Sequence, residues 1–136
     1  MSRHEVLVVD DSQEVREVVR VYLEAFLDVE VITAGNSIAA MEILDKESPD
    51  LCAAVVDVLM LGYGGVLVNY LKSDPRYSDI PMVFYTGIDE RILDPRLTAD
   101  TKVVRKGQDG LSQVVDAIRK ALTGRRSVGP YAARAG

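Results

Sequence analysis

Residues 6–12 read Val-Leu-Val-Val-Asp-Asp-Ser, and this stretch decides the fold. Its four apolar residues are typical of a strand that is buried on both faces of a parallel sheet. Two carboxylates, Asp10 and Asp11, follow the strand directly. Ser12 is predicted to cap a helix, because its hydroxyl can accept a hydrogen bond from a free backbone N–H of the first turn. The stretch therefore predicts a buried strand, an acidic turn and a helix in immediate succession.

The same alternation continues along the chain. Further apolar runs predict four more strands, at residues 29–33, 52–56, 82–85 and 102–105. Apolar residues spaced by three and four predict helices between them, and in the first helix the apolar face comprises Val15, Val18, Val19, Tyr22, Leu23 and Phe26. Strands that alternate with helices predict an α/β fold, in which a parallel sheet carries helices on both faces.

The predicted helix boundaries are less regular towards the C-terminus. Asn36 or Ser37 is expected to cap the second helix, and Ser48-Pro49 to end it. Residues 89–98 predict a poor helix, because Pro95 lacks an N–H donor and clashes with the preceding turn. Gly124 is expected to be the C-cap of the last helix.

Composition limits the class of protein. The chain has 136 residues, of which 48% are hydrophobic, enough for one compact core. A formal net charge of −5 argues against direct nucleic-acid binding and against a polybasic membrane surface. Cys52 is the only cysteine in the sequence, so an internal disulfide is excluded. We expect a cytoplasmic protein with one domain at residues 1–123 and a mobile tail at residues 124–136.

Chemically active side chains follow four of the five predicted strands. In an open α/β sheet, ligands bind beyond the carboxyl ends of the strands, so these groups are expected to meet at one edge. A single such residue is more commonly a helix cap or a solvated loop residue, but their combination favours a site. The residues concerned are Asp10, Asp11, Asp57, Thr86 and Lys106.

Three carboxylates at one place repel each other unless they take up protons or share a cation. Oxygen ligands without nearby histidine or cysteine favour Mg²⁺, whose coordination is often completed by phosphate oxygens. A carboxylate can attack phosphorus to form an aspartyl phosphate. The Thr86 hydroxyl and the Lys106 amine are suited to bind phosphoryl oxygens.

Four motifs carry a resemblance to a known family. They are Val-Val-Asp10-Asp11-Ser, Val-Val-Asp57-Val-Leu-Met60, Tyr-Thr86-Gly and Val-Val-Arg-Lys106. In this order the chain resembles the CheY-like response regulator receiver domains of two-component signalling, over roughly residues 4–123. The resemblance implies a flavodoxin-like (βα)5 doubly wound sheet with strand order 2-1-3-4-5.

The resemblance also implies roles for the site residues. Asp57 is then the phosphoacceptor, Thr86 the switch hydroxyl and Lys106 the phosphate-binding lysine. The implied Mg²⁺ ligands are the side chains of Asp10, Asp11 and Asp57 and the backbone carbonyl of Leu59. The implied partners are a histidine kinase or phosphotransfer protein and an unknown downstream protein. The domain is expected to be a monomer or weak dimer, and a signalling domain that assists its own phosphorylation and dephosphorylation, not an enzyme.

This chain departs from the family pattern at several positions. Leu61 and Gly107 stand where prolines are usual, and Val103 stands where an aromatic switch residue is usual. Together with Pro95, these residues predict an atypical output face. Leu59 and Ile88 lie beside the expected phosphoryl group, and their apolar side chains predict slow autodephosphorylation.

Two other functions remain open at the level of sequence. An Mg²⁺-dependent phosphatase of the haloacid dehalogenase type would use an aspartyl nucleophile, but it needs an acid at the position of Leu59. A receiver fold acting only as an interaction module would not be phosphorylated at all. The complete set of acids, hydroxyl and lysine argues against this last reading.

Overall fold

A computed structural model describes residues 4–59, 64–99 and 101–127. Its parallel sheet has the order β2-β1-β3-β4-β5. The strands are β1 (His4–Val9), β2 (Val29–Ala34), β3 (Leu51–Val56), β4 (Met82–Thr86) and β5 (Lys102–Arg105). The helices are α1 (Gln13–Phe26), α2 (Ser37–Glu47), α3 (Gly64–Ser73), α4 (Pro95–Thr98) and α5 (Gly110–Ser127). The predicted doubly wound, flavodoxin-like fold is confirmed.

The central strands divide the core into two layers. Along β1, Val6 and Val8 pack in the cluster formed with α1 and α5, whereas Leu7 and Val9 pack in the cluster formed with α2 and α3. This alternation follows from the two-residue period of a strand. Strands buried on both faces need continuous apolar runs, which explains the sequence pattern. Within the described ranges, no helix is long and apolar enough to cross a membrane.

Two predicted N-caps are present. The Ser12 hydroxyl accepts a hydrogen bond from the Val15 backbone N–H at 3.2 Å. The Asn36 side chain accepts one from the Ala39 backbone N–H at 2.8 Å, so Asn36 and not Ser37 caps α2. The helix α2 ends as predicted, with Ser48 in the left-handed region at φ 45°.

The apolar face predicted for α1 is only partly buried. Val19 and Leu23, four residues apart, are buried against the sheet, but Val18, Tyr22 and Phe26 are 40–61% exposed. A helix that lies on a sheet covers a narrow stripe, and the predicted face is wider than that stripe.

Residues 89–98 form a poor helix as predicted, with a 3₁₀ turn at Glu90–Ile92 followed by the single-turn α4. Two finer expectations about this part of the chain are wrong. Pro95 does not break a helix but begins α4, because the first helical position needs no N–H donor. The last helix continues through Ser127, so Gly124 lies inside α5 and is not its C-cap. The separation of residues 1–123 from a tail stays a prediction, because residues 128–136 lie outside the described part.

Candidate functional site

The turns after β1 and β3 bring three carboxylates together. Val9 pairs with Val56 in the parallel register, so the residues that follow them lie side by side at the sheet edge. The Asp57 backbone N–H donates to the Val9 carbonyl at 3.0 Å, which extends this pairing by one step. Asp10, Asp11 and Asp57 each offer a carboxylate oxygen within 4.8 Å of the other two.

Backbone hydrogen bonds fix one oxygen of each buried carboxylate. The Ser12 N–H donates to Asp10 Oδ1 at 2.9 Å, and the Leu59 N–H donates to Asp57 Oδ1 at 3.0 Å. Asp10 and Asp57 are only 3% and 7% exposed, whereas Asp11 is exposed. The second oxygens, Oδ2, are thereby left for a cationic partner.

Lys106 supplies that partner from the end of β5. Its Nζ donates to Asp10 Oδ2 and to Asp57 Oδ2, each at 2.8 Å. Burial alone would lower the pKa of Lys106, but the hydrogen bonds to the two carboxylates outweigh this and raise the pKa above its ordinary value. One ammonium cannot neutralise three carboxylates, so the cluster keeps a surplus of negative charge.

Thr86 ends β4, the strand that lies between β3 and β5 in the sheet. The residue is fully buried, and its hydroxyl oxygen accepts a hydrogen bond from the Ile88 N–H at 3.4 Å. The Lys106 N–H donates to the Thr86 carbonyl at 2.8 Å, which ties the two strand ends together. Thr86 therefore lies at the same edge as the carboxylates and the amine.

The donor set suits a hard divalent cation. All the ligands offered are carboxylate oxygens, and the surplus negative charge is of the sign that a cation would relieve. The predicted ligand role of the Leu59 carbonyl stays a prediction. Leu59 itself is 55% exposed beside Asp57. Met60 and Leu61, which belong to the motif after β3, lie outside the described residues.

The sequence pattern did not identify two residues that support the site. The Arg16 guanidinium donates to the Asp10 carbonyl at 2.7 Å from the first turns of α1. The Tyr85 ring centroid lies 5.7 Å from Lys106 Nζ. Tyr85 packs in the core cluster that α1 and α5 cover, and its ring also reaches the lysine. Nothing in the local spacing of either residue distinguishes it from ordinary packing.

Comparison with known proteins agrees with this geometry. A family model described as the response regulator receiver domain matches residues 6–104. A probable transcriptional regulator of Porphyra purpurea is 35% identical over 109 residues, which cover 76% of this chain but 42% of that protein. The chain thus spans less than half the length of this curated relative.

Solved structures show the same fold at low sequence identity. The chemotaxis response regulator CheY4 of Vibrio cholerae is 21% identical, with a TM-score of 0.75 over 88% of this chain and 99% of that chain. The response regulator TrrA of Thermotoga maritima, solved in complex with Mg²⁺ and BeF, is 18% identical. Its TM-score is 0.72 over 87% of this chain and 98% of that chain.

Proposed function

The chain belongs to the response regulator receiver domain family of two-component signalling, and we propose that Asp57 accepts a phosphoryl group in an Mg²⁺-dependent reaction. The observation that carries this proposal is the shared amine. Lys106 Nζ lies 2.8 Å from both Asp10 Oδ2 and Asp57 Oδ2, at the point where an incoming phosphoryl oxygen would need a cation. Receiver domains are signalling domains, and in that role this chain would serve as the phosphoacceptor.

Each residue has a defined part in the transfer. Asp10, Asp11 and Asp57, with the Leu59 carbonyl as a further ligand, would hold the Mg²⁺ ion, which when bound would supply charge neutralisation for the phosphoryl oxygens. An Asp57 carboxylate oxygen forms the new bond to phosphorus while the bond from phosphorus to the donor's leaving group breaks. Lys106 then exchanges its hydrogen bond to Asp57 for one to a phosphoryl oxygen, and the Thr86 hydroxyl donates to another.

The fixed geometry explains why little else is required. Phosphoryl transfer depends mainly on positioning and on electrostatic stabilisation of the transferred group. The Leu59 N–H holds Asp57 Oδ1, so the carboxylate does not rotate freely in front of the donor. Burial of Asp57 excludes most competing water from the nucleophile.

The partners follow from this chemistry. The donor is a histidine kinase or a phosphotransfer protein that acts in the cytoplasm, and the output passes to an unknown downstream protein through protein contact. We expect a monomer or weak dimer that contacts neither nucleic acid nor membrane directly. The single-turn α4 and Val103 in β5 form the unusual part of the face expected to recognise that partner.

The test is a phosphorylation reaction with a small acyl phosphate as donor. With Mg²⁺, the intact mass should increase by one phosphoryl group, and borohydride reduction followed by peptide sequencing should locate the group at Asp57. Asp57→Asn should remove the adduct, whereas Asp79→Asn, a change at an exposed acid, should not. Asp11→Asn should keep the nucleophile but need much more Mg²⁺ for the same rate. An adduct on another residue, or one formed equally well with the metal chelated, would contradict the proposal.

The same reaction distinguishes the proposed phosphoacceptor from the two alternatives, a phosphatase and an interaction module. A phosphatase would turn over the donor repeatedly and release phosphate, but Leu59 occupies the position where such enzymes carry their general acid. An interaction module would neither take up the phosphoryl group nor turn over the donor.

A further inference from the structure

Tyr85 stands directly before Thr86 in β4 and lies on the other face of the sheet. It is 7% exposed and belongs to the core cluster that α1 and α5 cover. Its ring is nevertheless within reach of the acidic pocket, because the Lys106 amine lies 5.7 Å from the ring centroid. An ammonium attracts an aromatic face at distances up to about 6 Å.

The Lys106 amine depends on side-chain contacts for its position. The Lys106 backbone is tied to β4, because its N–H donates to the Thr86 carbonyl at 2.8 Å, so it is the flexible side chain beyond the backbone that these contacts must position. Two of the three amine protons are directed to Asp10 and Asp57. The lysine side chain is only 25% exposed, so water supplies a small part of its solvation. The face of the Tyr85 ring supplies part of the remaining stabilisation of the ammonium charge.

The ring lies against the start of α5. A Cβ at Gly110, the first residue of α5, would lie 2.9 Å from Tyr85 Cε1 and 2.8 Å from the Arg105 carbonyl. Such contacts are too close, so only glycine lets α5 begin against this ring. On the side of α1, the ring borders a shallow groove lined by Val15 and Val18. The start of α5 therefore confines the ring on one side, and the ring is almost completely buried.

We propose that Tyr85 is a positioning residue, whose ring holds the Lys106 amine over the Asp10–Asp57 pair. The contact exists in the unphosphorylated protein and does not depend on the proposed function. Its effect on phosphoryl transfer does rest on that function. When the ring is absent, the amine should sample positions away from Asp57, and a smaller fraction of molecules should be ready to receive the phosphoryl group.

The first test is nuclear magnetic resonance of the unphosphorylated protein. The ε-methylene protons of Lys106, assigned by their absence in Lys106→Arg, should show contacts to the Tyr85 ring and an upfield ring-current shift. Tyr85→Phe should keep the shift, because the ring and not the hydroxyl causes it, whereas Tyr85→Leu should lose it. Phe84→Leu is the matched control, since Phe84 lies in the opposite core cluster, and it should leave the shift unchanged.

Absence of both the ring contacts and the shift in the unaltered protein would overturn the proposal even if Tyr85→Leu failed to fold. Persistence of the shift in folded Tyr85→Leu would overturn it as well.

The second test is the phosphorylation rate with a small acyl phosphate at saturating Mg²⁺. Tyr85→Leu should react about two- to fivefold more slowly, and Tyr85→Phe should restore the rate. Equal rates for Leu and Phe would contradict the positioning role. If the ring-current shift is present but no variant is phosphorylated, the proposed function fails and the Tyr85 contact stands.

Discussion

At the scale of single residues, the site is organised by an imbalance of charge. Asp10 and Asp57 are almost completely buried, and both rely on the one ammonium of Lys106. Removing one partner from such a pair leaves an uncompensated buried charge, which is strongly unfavourable. This imbalance favours the binding of a further cation, and under the proposed function we expect Lys106 to exchange its contact with Asp57 for one with the phosphoryl group.

The lifetime of the phosphoryl group is expected to depend on Leu59 and Ile88. Their side chains lie two positions beyond Asp57 and Thr86 and cannot orient an attacking water by hydrogen bonding. We expect slow autodephosphorylation in the unaltered protein. The variant Leu59→Asn with Ile88→Gln should shorten the half-life of the phosphoaspartate by about tenfold or more, because positioning a proton acceptor typically contributes at least that much.

The measurement is the decay of the intact-mass adduct after removal of the donor. Val66→Asn, a polar change at another exposed apolar position, is the control and should leave the decay unchanged. An equal half-life of the phosphoaspartate in the double variant and the unaltered protein would contradict the role assigned to Leu59 and Ile88.

The sequence predicted which polar side chains meet at the edge of the sheet, but not which residues contact them. Asp10, Asp11, Asp57, Thr86 and Lys106 interrupt or end apolar runs, so their positions alone suggest a shared edge. In the sequence, Arg16 looks like any polar residue of an amphipathic helix, and Tyr85 looks like any apolar residue of a buried strand. Their contacts depend on which elements lie opposite them, and this becomes known only when the chain is folded.

At the scale of elements, the strands were predictable to within one or two residues because burial on both faces requires continuous apolar runs. The poor helix at residues 89–98 was also predictable, but its cause was not, since Pro95 starts the short α4 and does not interrupt it. The sequence pattern was wrong about the buried face of α1, because the spacing of apolar residues does not determine how many of them the sheet covers. Val18, Tyr22 and Phe26 stay largely exposed for that reason.

One buried contact joins the loops that follow α2 and α3. The Tyr77 hydroxyl donates to the Pro49 carbonyl at 2.8 Å, and the residue is 2% exposed. Tyr77→Phe should lower the free energy of unfolding at pH 7 by about 1 to 3 kcal/mol, because a buried acceptor loses its donor. Urea unfolding measures the difference, and Tyr22→Phe, at an exposed tyrosine, should change it little.

The effect of Tyr77→Phe should depend on pH. Burial raises the pKa of the Tyr77 phenol above its ordinary value. The stability that this tyrosine contributes is therefore complete below about pH 10, the pKa of the unfolded chain, and is lost as the pH rises from there through the folded pKa. The gap between the unaltered protein and Tyr77→Phe should narrow above about pH 10. A gap that stays constant to higher pH would contradict the assigned contact.

At the scale of the whole molecule, topology converts distant residues into one site. The strand order β2-β1-β3-β4-β5 places β1 beside β3 and sets β4 between β3 and β5. The carboxyl ends of all these strands face the same edge, so residues separated by up to 96 positions in the chain meet there. The family's motifs are informative for this reason: each marks the end of a strand in a fixed order.

The central claim is that this edge is a single phosphoryl-binding pocket built around Asp57, an Mg²⁺ ion and Lys106. The most direct measurement is a crystal structure of the protein with Mg²⁺ and beryllofluoride, which mimics a bound phosphoryl group. We expect beryllium to be bonded to an Asp57 carboxylate oxygen and the Mg²⁺ ion to lie among Asp10, Asp11 and Asp57. The Lys106 amine and the Thr86 hydroxyl should each donate a hydrogen bond to a fluorine atom. Beryllofluoride on a different carboxylate, or Lys106 directed away from it, would contradict the account.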